Sequence, residues 1–253
     1  MNTKILCCYH RKAPRIMNKL LSQYPDIFVP ILGGSIYYKQ GTDSFFDTLQ
    51  RDDTGDNASV FDLQFSEHTC LYWMYRHLRD LNDPDIVGLC HYRRFMDVDY
   101  TNLDPTKIYL RRDPNLRPES IRDVVTTWAG LPTLELTMDD FLYHYPEYKT
   151  AVDVTLTAWK FFDKNMFIMP RLEFVRYMEY LVRCYRFLTS QAFTMLLVRW
   201  CSIHPDISIG RCIVHRGIAF LLEMFSSIYF QKLQIDGHPI VITTCTKDSF
   251  NEY

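Results

Sequence analysis

At 253 residues the chain suits one large domain, and a single unit of that size buries about three quarters of its unfolded surface. Its 47% hydrophobic and 15% aromatic residues, with nine glycines, mark a globular protein rather than a disordered one. The formal net charge of -2 excludes a general nucleic-acid binder, whose phosphate contacts need a basic excess. No run approaches the ~20 apolar residues that span a bilayer. The first apolar run is too short for a signal peptide and charge follows it at once, so a cytoplasmic protein is expected. The eight cysteines show no Cys-x-x-Cys spacing and mostly sit in apolar runs, which points to free buried thiols in a reducing compartment.

In chain order, Ile5–Tyr9 reads as a buried strand that turns basic at His10-Arg11-Lys12 and stops at a proline. A helical stretch through Ile16, Leu20 and Leu21 leads to a second apolar run, Ile27 to Leu32, closed by Gly33-Gly34. Residues 51–59 are a polar loop of three acids, an amide and two hydroxyls. Over 65–81 the spacing of Cys70, Leu71, Met74, Leu78 and Leu81 predicts an amphipathic helix, stopped by Asn82-Asp83-Pro84. Residues 85–92 are the most strand-like segment, and strand, helix, strand in succession implies a parallel α/β sheet. The stretch 100–120 reads as loop, Val124 to Trp128 as a strand, and Phe161-Phe162 through Met169 as another. Residues 172–188 and 213–233 have helical period, and Pro239–Ile242 is either a closing strand or a loose end.

Two polar constellations carry chemistry. Asp52, Asp53 and Asp56 are hard oxygen donors at short spacing, suited to magnesium, manganese or calcium, although the calcium-hand rhythm is missing. An Asx-rich turn accounts for them equally well. The second is the end of the strand at 85–92, where an apolar run stops at His91-Tyr92-Arg93-Arg94. In an open α/β sheet ligands bind beyond the carboxyl ends of the strands, and guanidiniums hold phosphates or carboxylates. Asp97-Val98-Asp99 follows, an Asp-x-Asp placed where many nucleotide-sugar transferases hold manganese against a diphosphate. Walker, Rossmann, hydrolase-elbow and zincin motifs are absent from the sequence, and the spacing of His204, Cys212 and His215 fits no zinc module. Glu223 stands inside an apolar helix, where a carboxylate is either paired, functional or on the solvent face.

Together these segments resemble a bacterial family from capsule and lipopolysaccharide loci, long catalogued as a domain of unknown function and regarded as glycosyltransferases. The resemblance runs over most of the chain: His10-Arg11-Lys12, Asp52-Asp-Thr-Gly-Asp-Asn57-Ala-Ser59, Leu71-Tyr72-Trp73, Gly88-Leu-Cys-His-Tyr-Arg-Arg94, Tyr145-Pro-Glu-Tyr148, Asn165 to Met169, and Arg216 with Phe220 and Glu223. The chain departs from the family at Leu131–Thr137, where a histidine-rich run is usual, and at Met224, where arginine is usual.

The resemblance implies an α/β, GT-A-like fold with a mostly parallel central sheet flanked by helices. It implies a single transferase domain over 1–253, with a donor-binding half at 1–130 and a more helical acceptor-side half at 131–253. The expected activity is transfer of a hexose, such as galactose in pyranose or furanose form, from a uridine diphosphate sugar to a lipid-linked surface polysaccharide. Donor contacts are expected from His10, Asp53, Asn57, His91, Tyr92, Arg93, Arg94 and Asn165. Asp56 or Glu223 would be the base, and Asp97 and Asp99 would hold Mn2+ or Mg2+. A lipid-linked acceptor would bring the protein to the inner membrane face, where Arg111, Arg112, Arg117 and Arg122 offer a modest basic surface. Two other classes fit the residues: a non-catalytic nucleotide- or carbohydrate-binding partner in an assembly complex, and a phosphohydrolase built on the acid cluster.

Overall fold

The computed structural model describes residues 1–10, 15–112, 119–129, 131–159, 162, 165–188 and 210–247. His204, Cys201, Arg117 and Lys12 lie outside the described residues, and of Cys212, His215 and Arg216 only the helical backbone is described. The chain forms two compact units that do not follow one cut. The first comprises Met1–Arg111, Asn165–Met178 and the residues from Pro239 onward; the second comprises Arg112–Lys164 and Glu179–His238.

The first unit is built on a sheet. Its strands are β1 (Thr3–Tyr9), β2 (Phe28–Leu32), β3 (Gln50–Arg51), β4 (Ile86–His91), β5 (Arg94–Met96), β6 (Ile108–Arg111), β7 (Phe167–Pro170), β8 (Ile240–Thr243) and β9 (Cys245–Lys247). The order is β3-β2-β1-β4-β7-β6-β8, with β5 pairing β4 and β9. β3, β2, β1 and β4 run parallel, β7 is antiparallel to both of its neighbours, and β6 and β8 are parallel again. The sheet is therefore mostly parallel along its main path. β1 and β4 are buried along nearly their whole length, the pattern of central strands covered on both faces. Helices α1 (Arg15–Gln23), α2 (Asp62–Phe65) and α3 (His68–Arg76) belong to this unit. Its core joins Ile5, Cys7, Tyr9, Phe28, Leu32, Ile86, Cys90 and Ile168. Each large apolar side chain fully buried there stabilises the fold by roughly 1.5–3 kcal/mol.

The second unit is helical: α4 (Ile121–Ala129), α5 (Leu131–His144), α6 (Lys149–Thr157), the later turns of α7 (Arg171–Leu188) and α8 (Gly210–Ile235). Aromatic rings fill its centre. Phe141 lies 5.1 Å from Phe225 and 5.2 Å from Tyr145, while Tyr148 stacks on Tyr180 at 5.2 Å.

Four segments differ from their sequence expectation. Val124 to Trp128 is helix rather than strand. Ile121 and Val125 are buried one helical turn apart, and Ser120 and Asp123 form a reciprocal cap: the Asp123 N–H donates to Ser120 Oγ at 3.2 Å and the Ser120 N–H to Asp123 Oδ2 at 3.3 Å. The stretch 100–120 contains β6, only four residues long but paired on both sides. The helix expected over 65–81 is confined to His68–Arg76, and the chain leaves it through Asn82 and Asp83, both at positive φ (60° and 45°). The strand expected from 161 begins at Phe167, and Phe162 lies outside it.

Candidate functional site

The parallel register places the carboxyl ends of three strands at one edge. Tyr9 of β1 lies beside Leu32 of β2, and Cys8 beside His91 of β4. His10, Gly33-Gly34-Ser35 and Tyr92-Arg93-Arg94 therefore leave the sheet together. β3 pairs Gln50 with Ile31 and Arg51 with Leu32, which delivers the loop 52–59 to the same edge. The sequence places its polar residues where four successive strands end.

Asp52 organises this edge. It is fully buried and accepts five hydrogen bonds: from Gly34 N (2.9 Å), Ser35 N (2.9 Å), Ser35 Oγ (2.8 Å), Ser59 Oγ (2.6 Å) and Thr69 Oγ1 (2.7 Å). The carboxylate ties β2's exit, the loop and α3 to one point, so its role is architectural. Asn57 acts likewise: its amide nitrogen donates to the carbonyls of Asp53 (3.0 Å) and Gly55 (2.9 Å), and its oxygen accepts from Ser59 N (3.2 Å).

The other two aspartates of the loop face different surroundings. Asp53 is gripped by one edge of the Arg51 guanidinium, with Nε to Oδ1 at 3.0 Å and Nη2 to Oδ2 at 2.6 Å. That bidentate pair holds its carboxyl below the usual range. A carboxylate so paired retains unused lone pairs on both oxygens. Asp56 is exposed, bonded to Arg76 Nε at 2.7 Å and to the Tyr72 hydroxyl at 3.3 Å. The three acids therefore point to three different partners and do not converge on one cation.

Beneath the strand ends lies a charged cluster in which the expected His10, His91 and Asn165 meet two acids that the sequence reasoning missed, Glu67 and Asp62. Glu67, one residue before α3, is buried, accepts from Asn165 Nδ2 at 2.8 Å and lies 3.8 Å from His91 Nε2. Burial alone would raise its pKa, but the His91 and His68 imidazoles overcome that and hold it at about 2. Asn165 adopts a left-handed φ of 50°, tolerated by asparagine, and its Oδ1 finds no hydrogen-bond partner among the described residues. Asp62 is half-buried, and that burial pushes its carboxyl up to about 6 against the pull of His10. Cys8 Sγ lies 3.3 Å from Cys70 Sγ and 3.6 Å from His10 Nε2. The hydrogen bond from Cys70 brings the Cys8 thiol down to about 7, and the neighbouring Cys8 charge raises His10 to about 9.

Two glycines make this packing feasible. A Cβ at Gly33 would stand 2.9 Å from His10 Cε1, and Gly34, at φ 64°, would place one 2.4 Å from Asp62 Oδ2. The paired glycine and the lone glutamate before α3 were the available sequence signals for Asp62 and Glu67. Neither stands out without the fold, because their partners lie far along the chain.

Of the arginines, Arg93 places its guanidinium 5.5 Å above the Tyr92 ring, and Arg94 joins β5 opposite His91. His91, Tyr92, Arg93 and Arg94 are all partly exposed at the edge. Asp97 is tied to the C-terminal strands, accepting from Thr244 Oγ1 and Thr246 Oγ1, each at 2.6 Å. Asp99 closes its own turn, accepting from Thr101 N (3.0 Å) and Thr101 Oγ1 (2.7 Å). Both carboxylates accept from threonine hydroxyls, and no group of three His, Cys, Asp or Glu able to hold a metal occurs among the described residues. Glu223 is buried on α8, in the helical unit. The structure brings His10, Asp53, Asn57, His91–Arg94 and Asn165 to the sheet unit together with Asp56, Asp97 and Asp99; Glu223 belongs to the other unit.

A family model described as a domain of unknown function (DUF4422) matches residues 4–193. Among solved structures, the apo form of the WbbM bifunctional glycosyltransferase is similar, with a TM-score of 0.65, 19% identity and all of this chain covered. The chain spans 46% of that structure's length, so the likeness is one of fold. No curated protein matches the chain. No described helix is long and apolar enough to cross a membrane.

Proposed function

The chain belongs to the DUF4422 family, and from that premise and the chemistry of its sheet edge we propose that it is a glycosyltransferase. Its donor is a nucleotide sugar, a uridine diphosphate hexose, and its acceptor a surface saccharide carried on a lipid. One observation carries the reading. A mostly parallel sheet gathers imidazoles, two guanidiniums and a set of fixed carboxylates at the carboxyl ends of its strands. That is where α/β sheets bind phosphorylated ligands.

Glycosyl transfer requires neutralisation of the departing diphosphate, orientation of the acceptor hydroxyl and stabilisation of an oxocarbenium-like centre. Arg93, Arg94 and a protonated His10 supply positive charge for the first. Asp53, oriented by Arg51, accepts from hydroxyls of the donor. Asn165, its side-chain amide held by Glu67, lies buried beneath these groups and helps fix their positions. An inverting transfer also needs a carboxylate to take the acceptor's proton. Asp56, Glu223 and Asp62 are the candidates, and burial pushes the Asp62 carboxyl up to about 6.

A divalent metal is the other route to neutralising the diphosphate. It would fall to Asp97 and Asp99, exposed carboxylates that accept from the hydroxyls of Thr244, Thr246 and Thr101. Manganese added to or chelated from a transfer assay discriminates the two routes. The binding test is titration with uridine diphosphate, comparing wild type with Arg93→Ala and Arg94→Ala. Each variant should lose about 1.5–3 kcal/mol of affinity, the range for a charged hydrogen bond. Unchanged affinity in both would remove the assignment. Tight nucleotide binding without turnover of any donor would instead support a non-catalytic partner.

A further inference from the structure

The helical unit contains a pocket that none of the donor-side chemistry uses. Its volume is about 150 Å³, with Phe141, Tyr145 and Phe225 forming the floor and Asp140, His144 and Arg183 the rim. Phe141 contacts both other rings, at 5.2 Å to Tyr145 and 5.1 Å to Phe225, so the floor is close-packed. The Arg183 guanidinium lies 5.9 Å above Tyr145. Phe225 is wholly buried, whereas Asp140, His144 and Arg183 are exposed.

Three features define the ligand. The volume far exceeds the ~10–15 Å³ that a single water needs, yet it falls below the ~300–1,000 Å³ of pockets that hold drug-sized molecules. One ring fits, and a nucleotide sugar does not. The floor is aromatic, which suits the apolar face of a ring. The rim sets a carboxylate against a guanidinium, so it carries no excess of either sign for an ionic ligand. It offers instead an acceptor and a donor of hydrogen bonds strengthened by charge. A neutral ring with one apolar face and hydroxyls around its edge satisfies all three.

We propose that this pocket is a saccharide subsite that seats one pyranose or furanose ring, stacked on Tyr145, which the buried Phe141 and Phe225 back, and held at its hydroxyls by Asp140 and Arg183. That the ring belongs to the acceptor rests on the transferase reading; that the pocket binds a sugar does not.

Saturation-transfer NMR with methyl β-galactopyranoside, methyl β-galactofuranoside and methyl α-glucopyranoside tests it on wild type, Asp140→Asn and Arg183→Gln. Both substitutions are on exposed side chains, and a thermal melt checks that each variant folds. The expected result is signal from at least one glycoside in wild type and a fivefold or greater loss in both variants, with affinity for uridine diphosphate unchanged. Equal signal in all three proteins, or none from any glycoside with wild type, overturns the subsite. A wild type that binds a glycoside through these residues but transfers no sugar overturns the acceptor role and leaves the subsite standing.

Discussion

The two units solve the problem of burying polar and apolar groups in opposite ways. At the edge of the sheet unit, buried charge is satisfied by hydrogen bonds: Asp52 accepts five, and Glu67 is held by Asn165 beside His91. In the helical unit, rings meet rings, as in the cluster of Phe141, Tyr145, Tyr148, Tyr180 and Phe225. The difference teaches where each unit should fail. The sheet edge depends on partners of matching charge and therefore on pH, whereas the ring cluster depends on volume and does not.

The largest effect should come from the ring cluster. Phe225→Ala removes a wholly buried ring and leaves a cavity, at a cost of about 3–5 kcal/mol. Denaturant unfolding should give the same loss at pH 5 and pH 7, because no charge is involved. A strongly pH-dependent loss would break the contrast between the units. Asp52→Ala should cost about 3 kcal/mol, since it strands two backbone N–H groups and three hydroxyls that share one acceptor. Its melt should show the sheet unit destabilised; a shift of less than 1 °C would mean that water replaces the carboxylate without loss.

The pH dependence sharpens the contrast. Glu67 sits at about 2 in the folded protein, below its ordinary 4.5, so it contributes stability that is present above pH 4.5 and lost as pH falls towards 2. Asp53, also lowered, adds to that fall. Asp62 works the other way. Its folded value of about 6 lies above its ordinary 3.8, so its contribution is present below 3.8 and lost as pH rises through 6. His10, raised to about 9, and Cys8, lowered to about 7, oppose each other in the alkaline range. His68, lowered by burial, works against Asp62, its contribution present above its ordinary 6.5 and lost as pH falls, so the clearest limb of the sheet unit is the fall below 4.5 as Glu67 and Asp53 take up protons. Urea melts across pH 3–8 should show Asp62→Asn losing the rise between 6 and 4, and Glu67→Gln losing the fall below 4.5. A limb that persists unchanged in its own variant would contradict these assignments.

How much of this was legible in the sequence also divides between the units. β1, β2 and β4 announce themselves as apolar runs ending in charge, and the loop 51–59 as an excess of side-chain oxygen. Order along the chain thus located the edge. The sequence could not say which carboxylate does what, because Asp52 owes its burial to Ser35, Ser59 and Thr69, three separate stretches that only the fold assembles. Glu67 and Asn165, 98 residues apart, are invisible to each other in sequence. In the helical unit, local pattern misled at Val124 to Trp128, where β-branched and aromatic residues outweighed the Ser120–Asp123 cap that starts the helix. β6 escaped notice for a different reason. Four residues carry no period, and strands on both sides make it one.

The smallest expected effect on stability tests the sharpest distinction within the loop. Asp56 stands four residues from Asp52 but faces solvent, with 51% of its side chain exposed and its Arg76 partner 45% exposed. Exposed pairs of this kind contribute about 0–1 kcal/mol and are screened by salt. Asp56→Asn should therefore leave the melt within about 1 kcal/mol of wild type, while Asp52→Ala does not. Activity separates structure from chemistry at this position. If Asp56 takes the acceptor's proton, transfer should fall by about 100-fold or more in Asp56→Asn while nucleotide affinity holds. If transfer falls instead in Asp62→Asn, with its acid limb near pH 6 abolished, the base is Asp62 and the Asp56–Arg76 pair only trims the loop. Equal transfer in wild type and both variants would move the search for the base to Glu223 in the helical unit.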